Sequence, residues 1–368
     1  MTDTQVDGPT MSIASPDVGR EELHRIHDVL RSGQLSGGDE VDTFGAEFAE
    51  YCGVDYGVPT TNGTTALHAA LAALDVGSGD TVLTTPFSFI ATANAIRHVG
   101  ARPLFADIDP ETYNLDPDSV AGAIDDADGG IDAVLAVHLY GCPAPLAELR
   151  DIADRHDAAL VEDCAQAHGA TYRGDPVGSF GDAGCFSFYP TKNMTTGEGG
   201  MVVTDDEAVA DRLGSFIDHG RSPDGGYDRV GHNFRMTDIC AAIGRVQLSK
   251  LDDYVAARRE HARQFDSAVT GTAIDTPVEP DHCEHAYHQY TVRCDDRAAL
   301  QSHLESYGVD SAVYYPTPIH RQPAYDDVDA ALPVAERAAS EVLSIPVHPD
   351  LSPRDVRAIS LALTEYPA

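Results

Sequence analysis

A lysine in a glycine-rich loop is the residue of this chain whose type and setting most clearly suggest chemistry. Lys192 lies in SFYPTKNMTTGEGGMVVT, on a proline-marked turn between two apolar runs, and Gly197, Gly199 and Gly200 follow it. Glycine lets the backbone approach another group closely. A partly desolvated lysine that loses its proton can form a Schiff base with a carbonyl group and serve as general base and acid. The alternative is an ordinary surface lysine on a loop.

The use of lysine in the whole chain favours a chemical role. Only Lys192 and Lys250 occur among the 368 residues, and arginines supply the other positive charges. Lysine is normally among the commonest residues, so a chain that has lost nearly all of its lysines must have a reason to keep two. Lys250 lies in the amphipathic segment LSKLDDYVAARRE, where we expect a solvated side chain.

A carboxylate that lies 29 residues before Lys192 could act on the same ligand. The run AALVEDC predicts a buried strand that ends in Glu162 and Asp163. Ligands of open α/β sheets bind beyond the carboxyl ends of the strands. Asp163 there could pair with the pyridine nitrogen of pyridoxal phosphate and keep the ring protonated, which makes the ring an electron sink. A helix N-cap explains an aspartate at this position equally well.

An anion site is predicted at the start of the segment TTNGTTALHAALAAL. Its leucines repeat at helical spacing, so we expect a helix that begins near Thr64. Gly63, Thr64 and Thr65 would then present backbone N–H groups and hydroxyls at a helix N-terminus, where anions bind. Taken alone the signal is weak, because helix capping by Asn or Thr is the common explanation.

The elements that must position these residues form an α/β pattern. The runs TVLTTP, ARPLFADI, AVLAVHLYG, AALVEDC, GCFSFY and GMVVTD predict buried strands that alternate with helices, as in a mostly parallel sheet flanked by helices. We expect a large domain over residues 1–255, with a loose tail over 1–12. The long segment MTDICAAIGRVQLSKLDDYVAARREHARQF predicts a helix that leaves it. Residues 256–368, with strands at QYTVRC and SAVYYP, predict a smaller α+β domain.

The charge balance excludes some function classes. With 60 acidic against 24 basic residues the net charge is −36, which disfavours nucleic-acid binding. The acids are dispersed along the chain, as expected of a protein that stays hydrated in concentrated salt, and we infer a salt-accumulating host. Without a signal peptide or a membrane-length apolar run, we expect a cytoplasmic protein with no membrane contact.

The cysteines and histidines do not predict a metal site. The seven cysteines are odd in number and scattered without a CxxC pair, which argues against a disulfide framework and a structural zinc site. His282, Cys283, His285 and His288 are close in sequence, but their spacing suits no common metal site. We therefore expect no metal.

Several long motifs resemble those of a known family. They are TNGTTALH, PFSFIATANAI, FADIDPETYNLDP, VHLYGCPA, EDCAQAHGA, GSFGDAGCFSFYPTKNMTTGEGGMVVTD, HNFRMTDICAAIGRVQL and YYPTPIH. Together they cover nearly the whole chain, which is similar to the sugar aminotransferases of the DegT/DnrJ/StrS type. The resemblance implies a pyridoxal phosphate enzyme of fold type I. It also implies a homodimer that moves an amino group from L-glutamate to carbon 3 or 4 of a nucleotide-linked keto-sugar, with 2-oxoglutarate as product.

The resemblance also implies roles for individual residues. Lys192 would carry the cofactor and Asp163 would pair with the pyridine nitrogen. The other cofactor contacts that it implies are Gln166 at the ring or its 3′-oxygen, Gly63, Thr64 and Ser187 at the phosphate, Phe89 stacked on the ring, and Asn233 reaching the phosphate of the partner subunit. Ser88 stands where the family usually has threonine, and His232 where it usually has tyrosine.

The substrate contacts are less sharply indicated. Tyr315, His320 and Ser36 are expected near the nucleotide-sugar, although a structural role for His320 is equally open, and His168 is similarly ambiguous. Two other functions stay open. Related dehydratases that remove a sugar hydroxyl commonly replace the lysine by histidine, whereas one that makes an aminobenzoate keeps it. A regulatory homologue without activity is the third possibility.

Overall fold

A seven-stranded sheet forms the centre of the computed structural model, which describes residues 11–127 and 129–367. The strand order is β1-β9-β8-β5-β4-β2-β3. Two smaller sheets have the orders β10-β6-β7 and β11-β12. The strands are β1 (Tyr56–Thr60), β2 (Thr81–Thr84), β3 (Arg102–Phe105), β4 (Ala133–Val137), β5 (Ala159–Asp163), β6 (Thr171–Tyr172), β7 (Asp175–Pro176), β8 (Ala183–Ser187), β9 (Gly200–Thr204), β10 (Cys283–Glu284), β11 (Tyr290–Arg293) and β12 (Val342–Ile345).

Glycines and a capping side chain mark the ends of the first three helices. Gly33 and Gly53 end the first two helices in the left-handed region, with φ of 77° and 74°. Asn62 caps the third, which begins one residue before the expected Thr64. The helices are α1 (Arg20–Ser32), α2 (Asp39–Cys52), α3 (Gly63–Ala73), α4 (Ala91–His98), α5 (Pro117–Asp125), α6 (Leu146–Arg155), α7 (Glu207–Ile217), α8 (Asp238–Leu248), α9 (Leu251–Ala268), α10 (Arg297–Ser306), α11 (Pro333–Glu341) and α12 (Pro353–Thr364).

The central sheet is mostly parallel, as the alternation of apolar runs predicts. Strands β3, β2, β4, β5 and β8 pair in parallel, and β9 and β1 complete one edge in antiparallel register. Alternate residues of a strand point to opposite faces. Leu135 and Val161 pack with α3 and α7 on one face, while Val134 and Leu160 pack with α5 and α6 on the other. Helices therefore cover both faces, and the predicted fold class is confirmed.

Three sequence-based expectations about secondary structure and the N-terminal tail are wrong. The single long helix is two helices, α8 and α9, which meet at Ser249 and Lys250. The segment SAVYYP forms no strand, and only Ala312 makes an isolated bridge, to Ser344 of β12. Met11, expected in a loose tail, is buried and hydrogen-bonds to the main chain at Gly308. The remainder of that tail, residues 1–10, lies outside the described residues.

The predicted boundary between residues 255 and 256 falls within α9. A hydrophobic cluster built from residues 262–366 together with Met11 supports a separate small core. Ile319, Tyr325 and Leu332, however, pack against Phe87 and other residues of the large sheet region. The two-domain division therefore stays a prediction. No helix within residues 11–127 and 129–367 has the length and apolar character needed to span a membrane.

Candidate active site

A concave site lies where three neighbouring strands end. Val137, Asp163 and Ser187 are the last residues of β4, β5 and β8, and all three line one cavity of about 750 Å³. This is the edge at which open α/β sheets bind ligands. The volume lies within the range of cofactor and substrate pockets in enzymes.

Lys192 lies in this cavity, on the turn that follows β8. Burial lowers the pKa of Lys192 to about 8, and the negative charge of Asp163 acts in the opposite direction. The backbone N–H of Lys192 donates to the carbonyl of Tyr189 at 2.9 Å, which fixes the turn. A much larger fraction of this amine is therefore neutral near neutral pH than in a solvated lysine, as nucleophilic or basic chemistry requires.

Asp163 faces the same cavity from the end of β5. No helix follows it, since the next described element is β6, so the N-cap alternative does not hold. Its Oδ2 accepts a hydrogen bond from Thr92 Oγ1 at 2.8 Å, and its Oδ1 accepts one from the N–H of Ala165 at 3.2 Å. Burial raises the pKa of Asp163, and these two donors and Lys192 oppose that rise.

The N-terminus of α3 closes one side of the cavity. Asn62 Oδ1 accepts a hydrogen bond from the N–H of Thr65 at 2.9 Å and caps the helix. The N–H groups of Gly63 and Thr64 lie in the first turn and have no intrahelical partner. A Cβ on Gly63 would lie 2.6 Å from Cβ of Ser187, so only glycine lets this helix end approach β8 so closely. Backbone donors and the Ser187 hydroxyl therefore meet, and a phosphate group fits this donor set.

Three further predicted residues line the cavity. Gln166 accepts from the N–H of Tyr140 at 2.8 Å and donates to the Tyr315 hydroxyl at 3.1 Å. The ring of Tyr315 lies 6.2 Å from that of Phe89, whose side chain is 55% exposed. Phe89 and Tyr315 also line an adjoining cavity of about 480 Å³. An exposed aromatic ring at the mouth of a cavity is available for stacking on a planar ligand.

Three predicted residues do not line the cavity of their own chain. Asn233 is exposed, and its Oδ1 accepts from Arg235 at 3.3 Å. Ser36 is also exposed and bridges Thr237, which brings the GQLSGG loop next to the GHNFRM segment. His320 is 3% exposed, with Nε2 at 3.1 Å from Glu336, so this geometry favours its structural alternative.

Some cavity residues were missed by the sequence reasoning. Thr92, His288, Gln289 and Glu198 all line the cavity. Thr92 lies within the motif PFSFIATANAI, but no spacing singled it out there, and no sequence signal indicates His288 or Gln289. His168, which was ambiguous, is 1% exposed and packs against Phe186 and Phe188, and it does not line the cavity.

One group of side chains within the described ranges is close enough to ligate a metal ion: His138, Glu162 and Cys164. Other partners already engage the first two. His138 Nδ1 accepts from the N–H of Ala144 at 2.9 Å, and Nε2 lies 3.0 Å from Glu162. Glu162 also accepts from three backbone N–H groups, at Gly178, Phe180 and Gly181. This group therefore ties the 178–181 loop to β5.

Known proteins of one family are similar to this chain over nearly its whole length. The sequence model of the DegT/DnrJ/EryC1/StrS aminotransferase family matches residues 16–364. A pleiotropic regulatory protein of Geobacillus stearothermophilus is 39% identical over 94% of this chain and 95% of its own. The UDP-N-acetyl-3-dehydro-alpha-D-glucosamine 3-aminotransferase of Acidithiobacillus ferrooxidans is 37% identical over 93% of each chain. The crystal structure of S. venezuelae DesV in complex with a ketimine intermediate superposes with a TM-score of 0.90, at 38% identity and 94% coverage of each chain.

Proposed function

The chain belongs to the DegT/DnrJ/EryC1/StrS aminotransferase family, whose members depend on pyridoxal phosphate, and we propose that it aminates a nucleotide-linked keto-sugar with L-glutamate as donor. The observation that carries the proposal is the meeting of Lys192, Asp163 and the N-terminus of α3 in one cavity. The names of the relatives support a nucleotide-sugar as acceptor. The net reaction exchanges the amino group of glutamate for the keto oxygen of the sugar, so glutamate leaves as 2-oxoglutarate.

The cavity residues match the phosphate, the ring nitrogen and the ring face of pyridoxal phosphate. Gly63, Thr64 and Ser187 would hold the phosphate, and Asp163 would face the pyridine nitrogen. The exposed ring of Phe89 would stack on the cofactor, and Gln166 would contact the ring substituent next to it. When bound, pyridoxal phosphate supplies an aldehyde that joins to amines and a protonated ring that withdraws electrons from the adjacent carbon.

The chain itself supplies the proton transfers. Lys192, with its pKa lowered to about 8 by burial, takes a proton from the substrate carbon as a neutral amine and returns it as an ammonium. Asp163 stays ionised to hold the positive charge of the ring nitrogen, which stabilises charge that develops nearby. Tyr315 and the outward face of Phe89 would contact the sugar, because both lie between the two cavities.

A homodimer would complete the site. Asn233 and Ser36 are exposed on one side of the chain and do not line its own cavity, as expected of residues that serve a partner subunit. Closed two-fold pairs are the commonest assembly of soluble oligomers. We propose that Asn233 reaches the phosphate bound by the other chain.

The substrate proposal is tested by a panel of nucleotide-linked 3-keto and 4-keto sugars with glutamate, in which 2-oxoglutarate release and the aminated sugar are measured. One sugar should be aminated, and Lys192→Ala should abolish the product. Bound cofactor without turnover of any sugar would favour the regulatory alternative. Loss of water from the substrate without consumption of glutamate would favour a dehydratase.

The shared site is tested by mixing two defective chains. Lys192→Ala and Asn233→Ala chains are co-expressed with different tags, and the heterodimer is purified. If Asn233 acts in the partner's site, one site carries both defects and the other is intact, so activity returns to about half of wild type. A heterodimer as inactive as both parents would place Asn233 in its own subunit's site.

We further infer that the enzyme works at high ionic strength, since the −36 net charge is self-repelling in dilute buffer. The melting temperature should rise steeply from low to molar KCl. A melting temperature that does not change with salt would refute this inference and leave the enzymatic proposal intact.

A further inference from the structure

Two hydroxyl side chains, those of Ser88 and Thr92, form a hydrogen-bonded line that ends at Asp163. Ser88 and Thr92 both line the cavity, and their hydroxyl oxygens lie 2.9 Å apart. Thr92 Oγ1 lies in turn 2.8 Å from Asp163 Oδ2. Ser88 and Thr92 are 4% and 1% exposed, so water cannot easily replace either hydrogen bond.

The direction of these hydrogen bonds follows from the number of protons available. An ionised carboxylate only accepts, so the Thr92 hydroxyl must donate its single proton to Asp163. The Thr92 oxygen is then left as an acceptor, and Ser88 must donate to it. The negative charge of Asp163 therefore enforces the order Ser88 to Thr92 to Asp163, whereas a protonated Asp163 could also donate to Thr92 and reverse it.

The Thr92 hydroxyl does not cap the helix in which it lies. Thr92 is the second residue of α4, whose N-cap is Ile90 without a side-chain cap. The backbone N–H of Thr92 is already bonded to the carbonyl of Phe89 at 3.1 Å. Thr84, by contrast, is equally buried, and its hydroxyl donates to the backbone carbonyl of Leu135, a bond within the sheet.

We propose that Thr92 is a positioning residue that keeps Asp163 ionised and oriented towards the ring nitrogen, with Ser88 as its support on the cavity side. This rests on the role proposed above for Asp163. Because Asp163 is buried, its charged form depends on a few donors, of which the Thr92 hydroxyl is the only side-chain hydroxyl within hydrogen-bond distance among the described residues. Burial raises the pKa of this carboxyl and Thr92 is the first of the groups that lower it.

The test compares Thr92→Val, which keeps the shape and removes the hydroxyl, with Thr92→Ser, which keeps the hydroxyl. In the holoenzyme, Thr92→Val should move the acidic limb of the kcat/KM profile to higher pH by about one unit, because a buried hydrogen bond to a charged group is lost. The absorbance of the bound cofactor should show the same shift. Thr92→Ser should restore both, and Ser88→Ala should shift them less.

Thr84→Val is the matched control, since it removes a buried hydroxyl that does not contact Asp163. It should leave the acidic limb in place even if it lowers the melting temperature. If Thr92→Val and Thr84→Val behave alike, or if Thr92→Ser fails to restore the profile, Thr92 is structural and the proposal is wrong.

A second measurement separates this proposal from the proposed function. In cofactor-free protein, the infrared band of the protonated Asp163 carboxyl is identified by its absence from Asp163→Asn. Thr92→Val should keep that band to a higher pH than wild type. An unchanged band would overturn the role of Thr92, whereas failure of the wild-type protein to bind pyridoxal phosphate would overturn only the proposed function.

Discussion

The two lysines of the chain lie in opposite surroundings. Lys192 faces a cavity, and the residues that line the cavity with it include one buried carboxylate, Asp163. Lys250 precedes α9 as its N-cap residue and donates to Glu22 Oε1 at 2.7 Å, with Glu21 at 3.4 Å. Burial lowers the pKa of Lys192 to about 8, whereas the two glutamates raise the pKa of Lys250 against the effect of its partial burial.

The difference shows that neighbours, and not residue type, decide what a retained lysine does. The expectation of a solvated Lys250 is wrong, because its partner Glu22 is fully buried. Glu22 also accepts from Gln247 at 2.9 Å and from the N–H of Gly19 at 2.8 Å, so the ammonium helps to fasten α1 to α8. One lysine can lose its proton for chemistry, and the other keeps its proton for structure.

Replacing Lys192 should have the largest effect on activity. Lys192→Arg keeps a positive charge but cannot supply a neutral amine, so turnover should fall by at least about 10³-fold. Glutamate-dependent amination of the identified sugar measures the loss. Lys250→Arg is the control and should retain most of the turnover, because it keeps the ion pair. A comparable loss of turnover in both variants would mean that Lys192 has no catalytic role distinct from that of Lys250.

Asp163→Asn should have the next largest effect. It preserves volume but removes the charge opposite the ring nitrogen, so turnover should fall by about two orders of magnitude while the cofactor still binds. Absorbance of the bound cofactor and steady-state kinetics measure the two properties separately. Near-normal turnover would show that the charge of Asp163 is not needed opposite the ring nitrogen, since Glu162, the neighbouring acid, does not line the cavity.

Lys250→Met should chiefly affect stability. Burial acts to raise the pKa of Glu22, but the hydrogen bonds from Lys250 and Gln247 outweigh it and lower this pKa to about 2. Removing Lys250 leaves a buried carboxylate without its cation and should lower the free energy of unfolding by about 2 kcal/mol at pH 7. Urea unfolding measures this value.

The loss of stability in Lys250→Met should depend on pH, because folding lowers the pKa of Glu22. A carboxyl whose pKa is depressed on folding contributes stability above its unfolded pKa of about 4.5 and loses it as the pH falls towards 2. The gap between Lys250→Met and wild type should therefore narrow below about pH 4.5. Arg263→Met, which removes an exposed pair with Glu260, is the control and should change little at any pH. Equal effects of the two variants would mean that Glu22 does not depend on Lys250.

Local pattern was sufficient for the fold class and for the positions of Lys192, Asp163 and Gly63 around one cavity, whereas the roles of the other cofactor contacts came only from the resemblance. Strand ends and helix starts are encoded within a few residues, which is why Asp163, Gly63 and Lys192 could be placed before the structure was known. Long-range pairs could not be placed. Gln166 meets Tyr315 across 149 residues and Thr92 meets Asp163 across 71, and no spacing rule connects them. The edge strand β1 and strand β12 were also missed, because each is short and lies beside a polar segment.

The most direct measure of the contrast, which needs no turnover, is the rate at which each lysine reacts with an acylating reagent in cofactor-free protein. The neutral amine is the reactive form. At pH 8 about half of Lys192 is neutral, whereas Lys250, with its pKa raised above 10.5, is almost fully charged, so Lys192 should react about a hundredfold faster or more. Peptide mass mapping separates the two sites from the N-terminal amine. In Asp163→Asn the carboxylate that raises the pKa of Lys192 is gone, so labelling of Lys192 should persist to lower pH while that of Lys250 stays the same. Equal rates at both lysines in the wild-type protein would show that burial does not lower the pKa of Lys192.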